Sequence, residues 1–354
     1  MGLKILHSAD WHLDSPFAGF DDSQRALLKQ EQQSIPGKTA QLCRREKCDL
    51  MLLAGDIFDG EPTRETVEAL KKALSECGAR VFITPGNHDF CAPGSVWLEE
   101  NWPENVYVFT GGLEAVTIPD LNCRVYGAGY QSMDSAPLLE NFRAEGSEKY
   151  CIAVLHGDPT RKDSPYCPIT AQQVRDSGLQ YLALGHIHKA GAFHAGGTLC
   201  AWPGCPMGRG WDETGEKGVC IVTVEDSASL RAVALDTIRF HELKADISSG
   251  AEAALEKILP PAGSRDFFRV TLTGSGEADI ARLTRRFSAV PNLTLRDETL
   301  PPLDIWGDTS ADTLEGVYFR LLREAMEADP DSREEIQLAA EISRKLLEGR
   351  EVTL

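Results

Sequence analysis

The sequence predicts an α/β layer fold followed by a small α+β module. Three observations carry this. Short apolar runs alternate with helical patterns through about the first 240 residues. The pattern breaks near 238–262, a stretch that holds one short helical pattern and closes on PPAG. The early apolar runs also end, one after another, in Asp, Asn or His, most of them beside a glycine. A chain of 354 residues is long for one domain and comfortable for two, here 1–240 and 241–354.

In order, the strand candidates are LKILHSA (3–9), DLMLLAG (49–55), ARVFITPG (79–86), NVYVFT (105–110), CRVYGAG (123–129), YCIAVLHG (150–157), YLALG (181–185), GTLCAW (197–202) and VCIVTVE (219–225). Helical patterns cover 24–46 and 62–76. The second starts just after Pro62 with Thr63 in position to cap it. The later strands follow one another without long helices, so part of the sheet is expected to be antiparallel. In the C-terminal module, FFRVTLTG, EADIARLTRRFSAV and NLTLRDE read as strand, helix and strand. Helices at 313–328 and 332–349 finish the chain, and the last carries an imperfect apolar stripe.

Composition narrows the classes. Hydrophobic residues at 42% and charged residues at 25% fit an ordinary globular protein. No apolar stretch is long enough to span a membrane, and the N-terminus reads as a first strand, not as a signal peptide. The ten cysteines form no CxxC pair and read as free thiols; Cys200 and Cys205 lack zinc-knuckle spacing. A cytoplasmic location is expected. The net charge of −18 divides as −10 over the first 240 residues and −8 over the rest. That counts against bulk, non-specific nucleic-acid binding and leaves room for a local basic stripe.

The chemistry sits at the strand ends. The first strand runs into Asp10-Trp11-His12, the second into Gly55-Asp56 and the third into Gly86-Asn87-His88-Asp89. Later strands run into His156-Gly157-Asp158 and Gly185-His186-Ile187-His188. Ligands of α/β sheets bind outside the carboxyl ends of strands. Residues i and i+2 of an extended segment point the same way, so Asp10 and His12 face one point, as do His186 and His188. Imidazole, carboxylate and amide oxygen make a mixed donor set that suits manganese, iron or zinc. Asp10, His12, Asp56, Asn87, His156, His186 and His188 are too many for one ion and enough for two, with Asp56 as the natural bridge. Two ions roughly 3.5–4 Å apart hold a hydroxide and clamp an in-line attack on phosphorus. Taken singly, each motif also reads as a turn or a pair of surface histidines; their joint order decides. His7 is expected to pack inside its strand, and His194 and His241 to be ordinary surface or satisfied residues.

The ordered set DxH, GD, GNHD, H and GHxH resembles the calcineurin-like metallophosphoesterase superfamily over roughly 3–225. The resemblance implies a layered β-sandwich flanked by helices. It implies that Asp10, His12 and His188 bind one metal, that Asn87, His156 and His186 bind the second, and that Asp56 bridges. It gives His88 the phosphate contact and protonation of the leaving group, held charged by Asp89 or another carboxylate. Two divalent ions follow, manganese first, with iron, zinc or magnesium as alternatives. HSADWHLDSP, AGDIFDGEPT, the segment from AWPGCPMGRG to VCIVTVE, and LRDETLPPLD further resemble the SbcD/YhaO-like DNA repair exonucleases. That implies DNA as substrate, a C-terminal capping module and a coiled-coil SbcC-like ATPase that binds the C-terminal segment; a homodimer stays open. Cys205 replaces the usual serine in that group's pattern. Asp59 stands where many of these nucleases carry a histidine, which puts the nuclease activity in question and leaves the phosphoesterase chemistry in place. Arg161, Lys162, Lys189 and Arg209 are the candidate substrate contacts, each of which also reads as a solvated charge. The alternatives are a small-substrate phosphatase or nucleotide phosphodiesterase, and a non-catalytic scaffold, which the full donor set disfavours.

Overall fold

The computed structural model describes residues 2–235, 237–301, 303–350 and 352. The chain divides into two compact units, 1–241 and 242–354.

The first unit is built on two six-stranded sheets. One contains β1 (Leu3–Ser8), β2 (Leu50–Leu53), β3 (Arg80–Ile83), β4 (Val106–Val108), β11 (Gly218–Val224) and β12 (Ala228–Ala234), in the order β12-β11-β1-β2-β3-β4. The other contains β5 (Glu114–Ile118), β6 (Cys123–Gly127), β7 (Tyr150–His156), β8 (Tyr181–Gly185), β9 (Gly191–Ala195) and β10 (Thr198–Trp202), in the order β5-β6-β7-β8-β10-β9. The expected antiparallel share is there: β11 pairs antiparallel with β1 and β12, β5 with β6, and β9 with β10.

Alternation explains the layers. Leu50 and Leu52 of β2, Ile152 and Val154 of β7, and Tyr181 and Ala183 of β8 meet in one core between the sheets. The intervening Leu182 and Leu184 face a second core closed by Val174 of helix α5 (Ala171–Asp176). A strand buried on both faces reads as an unbroken apolar run, which is why YLALG does. Met51 and Leu53, on the other face of β2, are also fully buried. Helices α1 (Asp22–Gln33), α2 (Ile35–Glu46) and α3 (Arg64–Ser75) bury apolar residues of their own, among them Leu28, Leu42 and Leu70.

The expected helix over 24–46 is two helices. Pro36 lies at the start of α2, where its missing N–H costs nothing, and Ser34 ends α1. Thr63 caps α3, its hydroxyl accepting from the amide of Thr66. The short helix α4 (Val96–Glu99) follows β3. His7 is fully buried, bonded to the Tyr181 hydroxyl and the Leu184 carbonyl oxygen. Burial lowers its pKa to about 3. His194 is exposed, and all ten cysteines are free thiols.

In the second unit, β13 (Phe240–Asp246), β14 (Phe267–Thr273) and β15 (Leu293–Asp297) form a three-stranded sheet in that order, with β14 and β15 parallel. Helices α6 (Ala251–Ile258) and α7 (Ile280–Arg286) bury Leu255 and Leu283 against Val270 and Leu272. Helices α8 (Leu314–Ala328) and α9 (Arg333–Leu347) pack on each other. Arg344 lies over the Phe319 ring at 4.1 Å and pairs with Glu315. No helix among the described residues is long and apolar enough to cross a membrane.

Candidate metal centre

Register brings the strand ends level. Ser8 of β1 lies beside Leu53 of β2, Leu53 beside Ile83 of β3, and His156 of β7 beside Gly185 of β8. The two sheets close on each other at this edge. A Cβ on Gly185 would run into the carbonyl oxygen of Ala54, so glycine is needed there for close approach, not for a turn. Beyond β1 the chain is stitched to the segment after β2 by Asp10 N–H to Gly55 O (3.0 Å), His12 N–H to Asp56 O (2.9 Å) and Leu13 N–H to Ile57 O (2.8 Å).

The geometry corrects the extended i, i+2 picture. Asp10 (φ +53°), His12 (+46°), Asp56 (+50°) and His186 (+99°) are left-handed, so the backbone curls around the centre instead of running straight past it. Asp10 and His12 still share a point, joined by His188; His12 Nε2 lies 3.2 Å from His188 Nε2. His186 and His188 do not share one. His186 Nδ1 instead lies 3.2 Å from Asn87 Oδ1, which is 2.9 Å from His156 Nε2. Asp56 Oδ2 stands between, 3.6 Å from His12 Nε2 and 3.4 Å from His156 Nε2. Donor atoms of Asp10, His12 and His188 lie within 4.8 Å of one another, as do those of Asp10, Asp56 and His156, and those of His12, Asp56 and His88.

These residues fit metal ions on chemical grounds. Asp10 Oδ2 is buried without a hydrogen-bond partner, a costly state for a carboxylate oxygen unless a cation completes it. The imidazoles are oriented from behind. His156 donates from Nδ1 to the Ala54 carbonyl oxygen at 2.9 Å, and His188 donates from Nδ1 to Glu213 Oε1 at 2.6 Å. Each is left with Nε2 as the inward lone pair. Charge also points to cations. Burial opposes a proton on His156, yet Asp56 and Asp10 overcome it and push its pKa up to about 9. His186 is part-buried and faces His156, and desolvation together with that neighbour lowers it to about 4. Burial raises Asp10, while at Asp56 the neighbouring histidines outweigh burial and hold the carboxyl low.

His88 stands at the open side of the cluster, its side chain 44% exposed. The carboxylate that holds it is Asp59, 3.0 Å from His88 Nδ1, and this hydrogen bond raises the imidazole pKa. Asp89 does not serve as that partner. It is buried and accepts from the amides of Gly86 (2.7 Å), Ile57 (2.8 Å) and Phe58 (3.1 Å), which shapes the loop under the site. Burial raises its pKa to about 7.

Of the basic candidates, Arg209 alone touches this network. It lies 3.1 Å from Glu213 Oε1, 3.9 Å from Asp59 Oδ2 and 3.3 Å from His188 Nδ1, so two carboxylates and an imidazole surround it. Arg161, Lys162 and Lys189 are exposed, and Arg161 pairs with Asp163. Sequence reasoning missed Glu213. Its signal lay in the segment from AWPGCPMGRG to VCIVTVE, whose resemblance to the SbcD/YhaO-like group takes in this glutamate without giving it a role.

The fold and the site together define a metal-dependent phosphoesterase, a hydrolase. The chain belongs to the calcineurin-like phosphoesterase family, whose model matches residues 3–190 and whose members use a dimetal centre. An uncharacterized metallophosphoesterase of Bacillus subtilis, YhaO, is 35% identical over 240 residues, covering 63% of this chain and 57% of that one. The match therefore spans little more than half of that relative. The SbcD component of the SbcCD nuclease of Staphylococcus epidermidis is 22% identical over 307 residues, covering 77% of this chain and 79% of that one. The SbcD component from Bacillus subtilis is 25% identical over 264 residues, covering 62% and 66%. Among solved structures, a dimetal phosphatase from Danio rerio aligns with a TM-score of 0.45 and 14% identity, covering 66% of this chain and 97% of that one.

Proposed function

We propose that the protein is a two-metal phosphodiesterase that hydrolyses DNA phosphodiester bonds in the manner of SbcD nucleases. The supporting observation is the convergence of seven donor residues from five strand ends on one edge, with His88 beside them. Asp10, His12 and His188 would hold one divalent ion, manganese by preference, and Asn87, His156 and His186 the other, with Asp56 shared. When bound, the ions supply positive charge to the phosphate oxygens and acidify a water for attack. Glu213 and the Ala54 carbonyl hold His188 and His156 in the tautomer that presents Nε2. Asp59 accepts from His88 Nδ1–H and favours the imidazolium, whose Nε2–H is then available to a leaving oxygen. Arg209 steadies Asp59 and Glu213 together.

A coiled-coil ATPase remains the proposed partner. Leu314, Leu321, Leu338, Leu346 and Leu347 of α8 and α9 are each more than half exposed, and so available to apolar contact. A small phosphodiester is the competing substrate, favoured by Arg209 being committed to two carboxylates.

The test is to load the protein with Mn²⁺ and compare linear duplex DNA, single-stranded DNA and an aryl phosphodiester, with Asp56→Ala as control. DNA cleavage that requires metal and Asp56 is expected. Aryl ester cleavage without DNA cleavage, even with an ATPase partner added, sinks the nuclease assignment. No hydrolysis of any ester sinks the phosphodiesterase assignment as well.

A further inference from the structure

A cavity of about 780 Å³ opens beside the metal centre, between the turn into α3 and the segment from His88 to Glu100. That is the scale of a small-molecule site, roughly 300–1,000 Å³. His88 belongs to both places: it lines the cavity, and it shares donor spacing with His12 and Asp56. With Nδ1 tied to Asp59, the free edge of the ring is Nε2.

The cavity has a rigid aromatic wall and an acidic rim. Trp97 is buried, with its ring 5.2 Å from Phe58 and stacked 5.0 Å from Trp102; Phe90, partly buried and packed on a different core cluster, also lines the cavity. Glu61 and Glu99 are exposed on the rim, and Arg64 is the guanidinium that shares it. Glu100 also lines it and is held by Lys71 at 3.0 Å. An aromatic surface takes the face of any base. Carboxylates accept from sugar hydroxyls and repel phosphate.

We propose that this cavity holds the nucleoside on the leaving oxygen of the substrate, and that it accepts a terminal nucleoside carrying no further phosphate. This rests on the phosphodiesterase assignment and on the place of His88 between the centre and the cavity. In the step it serves, the bond from phosphorus to the nucleoside oxygen breaks and a bond from phosphorus to the water oxygen forms. His88 gives its Nε2 proton to the departing oxygen, and the proton lost by water restores it. The nucleoside comes from a strand end or from a small nucleotide diester; both present the same group.

The experiment uses the full chain with Mn²⁺. Hydrolysis of bis(4-nitrophenyl) phosphate, lost in Asp56→Ala, checks the phosphodiesterase assignment separately. A thymidine dinucleoside monophosphate is then compared with the same compound phosphorylated on the far hydroxyl of its leaving nucleoside. The added phosphate is expected to lower kcat/KM by about tenfold or more through KM, as one like charge at close range does. The Glu61→Gln/Glu99→Gln variant should erase most of that difference. Phe90→Ala should raise KM for both by about tenfold, the worth of one stacked base. A single-stranded oligonucleotide against the dinucleoside separates the two sources. In parallel, thymidine is titrated while the Trp97 indole N–H is followed by NMR, assigned with Trp97→Phe; this readout needs no catalysis. Equal hydrolysis with and without the far phosphate overturns the proposal, as does a Trp97 signal unmoved by millimolar thymidine.

Discussion

At the scale of single residues, the histidines of the centre differ in what they need before they can bind an ion. His156 holds its proton to about 9 because Asp56 and Asp10 face it, while His186, beside it and Asn87, is neutral far below that. An ion takes the neutral ring, so below about pH 9 binding must expel a proton. Affinity should therefore rise with pH by about tenfold per unit up to that point and then level, with one proton released at this residue. Calorimetry of Mn²⁺ uptake in buffers of different ionisation enthalpy counts the proton; affinity flat between pH 6 and 9 would contradict it. In the proposed two-ion arrangement, Glu213 orients His188, a ligand of the other position. Glu213→Ala frees His188 Nδ1 and should weaken one of two ions by about 10–100-fold, leaving the Asn87–His156–His186 position filled. Loss of both ions together in a metal titration would refute a local effect. The donors themselves were legible because the strand-end motifs stand in a fixed order. Glu213 was not, since a loop glutamate far away in sequence looks like any surface acid until the fold sets it 2.6 Å from His188. The left-handed turns at Asp10 and His12 were equally hidden, because nothing in DWH separates a straight segment from a curled one.

At the scale of elements, the centre depends on two packed sheets closing on each other at their strand ends. Gly185→Ala places a methyl against the Ala54 carbonyl and Ala9, contacts that belong to β1, β2 and β8 ends at once. The expected cost is about 1–3 kcal/mol in denaturant unfolding, together with loss of both ions. Wild-type stability with two ions bound would count against the close approach. The sequence marked these strands well where both faces are buried, as in β2, β7 and β8. It did not mark β5, β9, β12 or β13, whose residues alternate between exposed and covered and include few long apolar side chains. The break at Ser34 was hidden for a different reason. Apolar periodicity runs on through both helices, and only Pro36 signals the restart.

At the scale of the whole molecule, charge sets how DNA would be engaged. The chain carries −18, and the cationic candidates around the centre reduce to Arg161, Lys162 and Lys189 once Arg209 is committed. Binding of the chain alone to a duplex should then show a log-affinity slope against log salt of magnitude about 3 or less. A slope twice as steep would reveal a phosphate-binding surface elsewhere on the molecule. Most of the architecture was legible, because alternating patterns dictate an α/β layer fold and the later strands an antiparallel share. The pairing order was not. Placing β11 beside β1, more than 200 residues apart in the chain, is decided by which faces must be buried together and leaves no local mark.

The curled backbone at Asp10, His12, Asp56 and His186 sets folding against function. Each left-handed non-glycine residue carries strain of order 1 kcal/mol or more. Glycine would relieve it at the same positions whose side chains are proposed to hold the ions. Selection for thermal stability alone should drift toward glycine there and lose the enzyme in doing so. Selection for activity should hold these four residues in place at a constant cost in stability. A deep substitution scan scored twice, for folded yield and for turnover, should therefore find its sharpest disagreement at these four sites and not in the core.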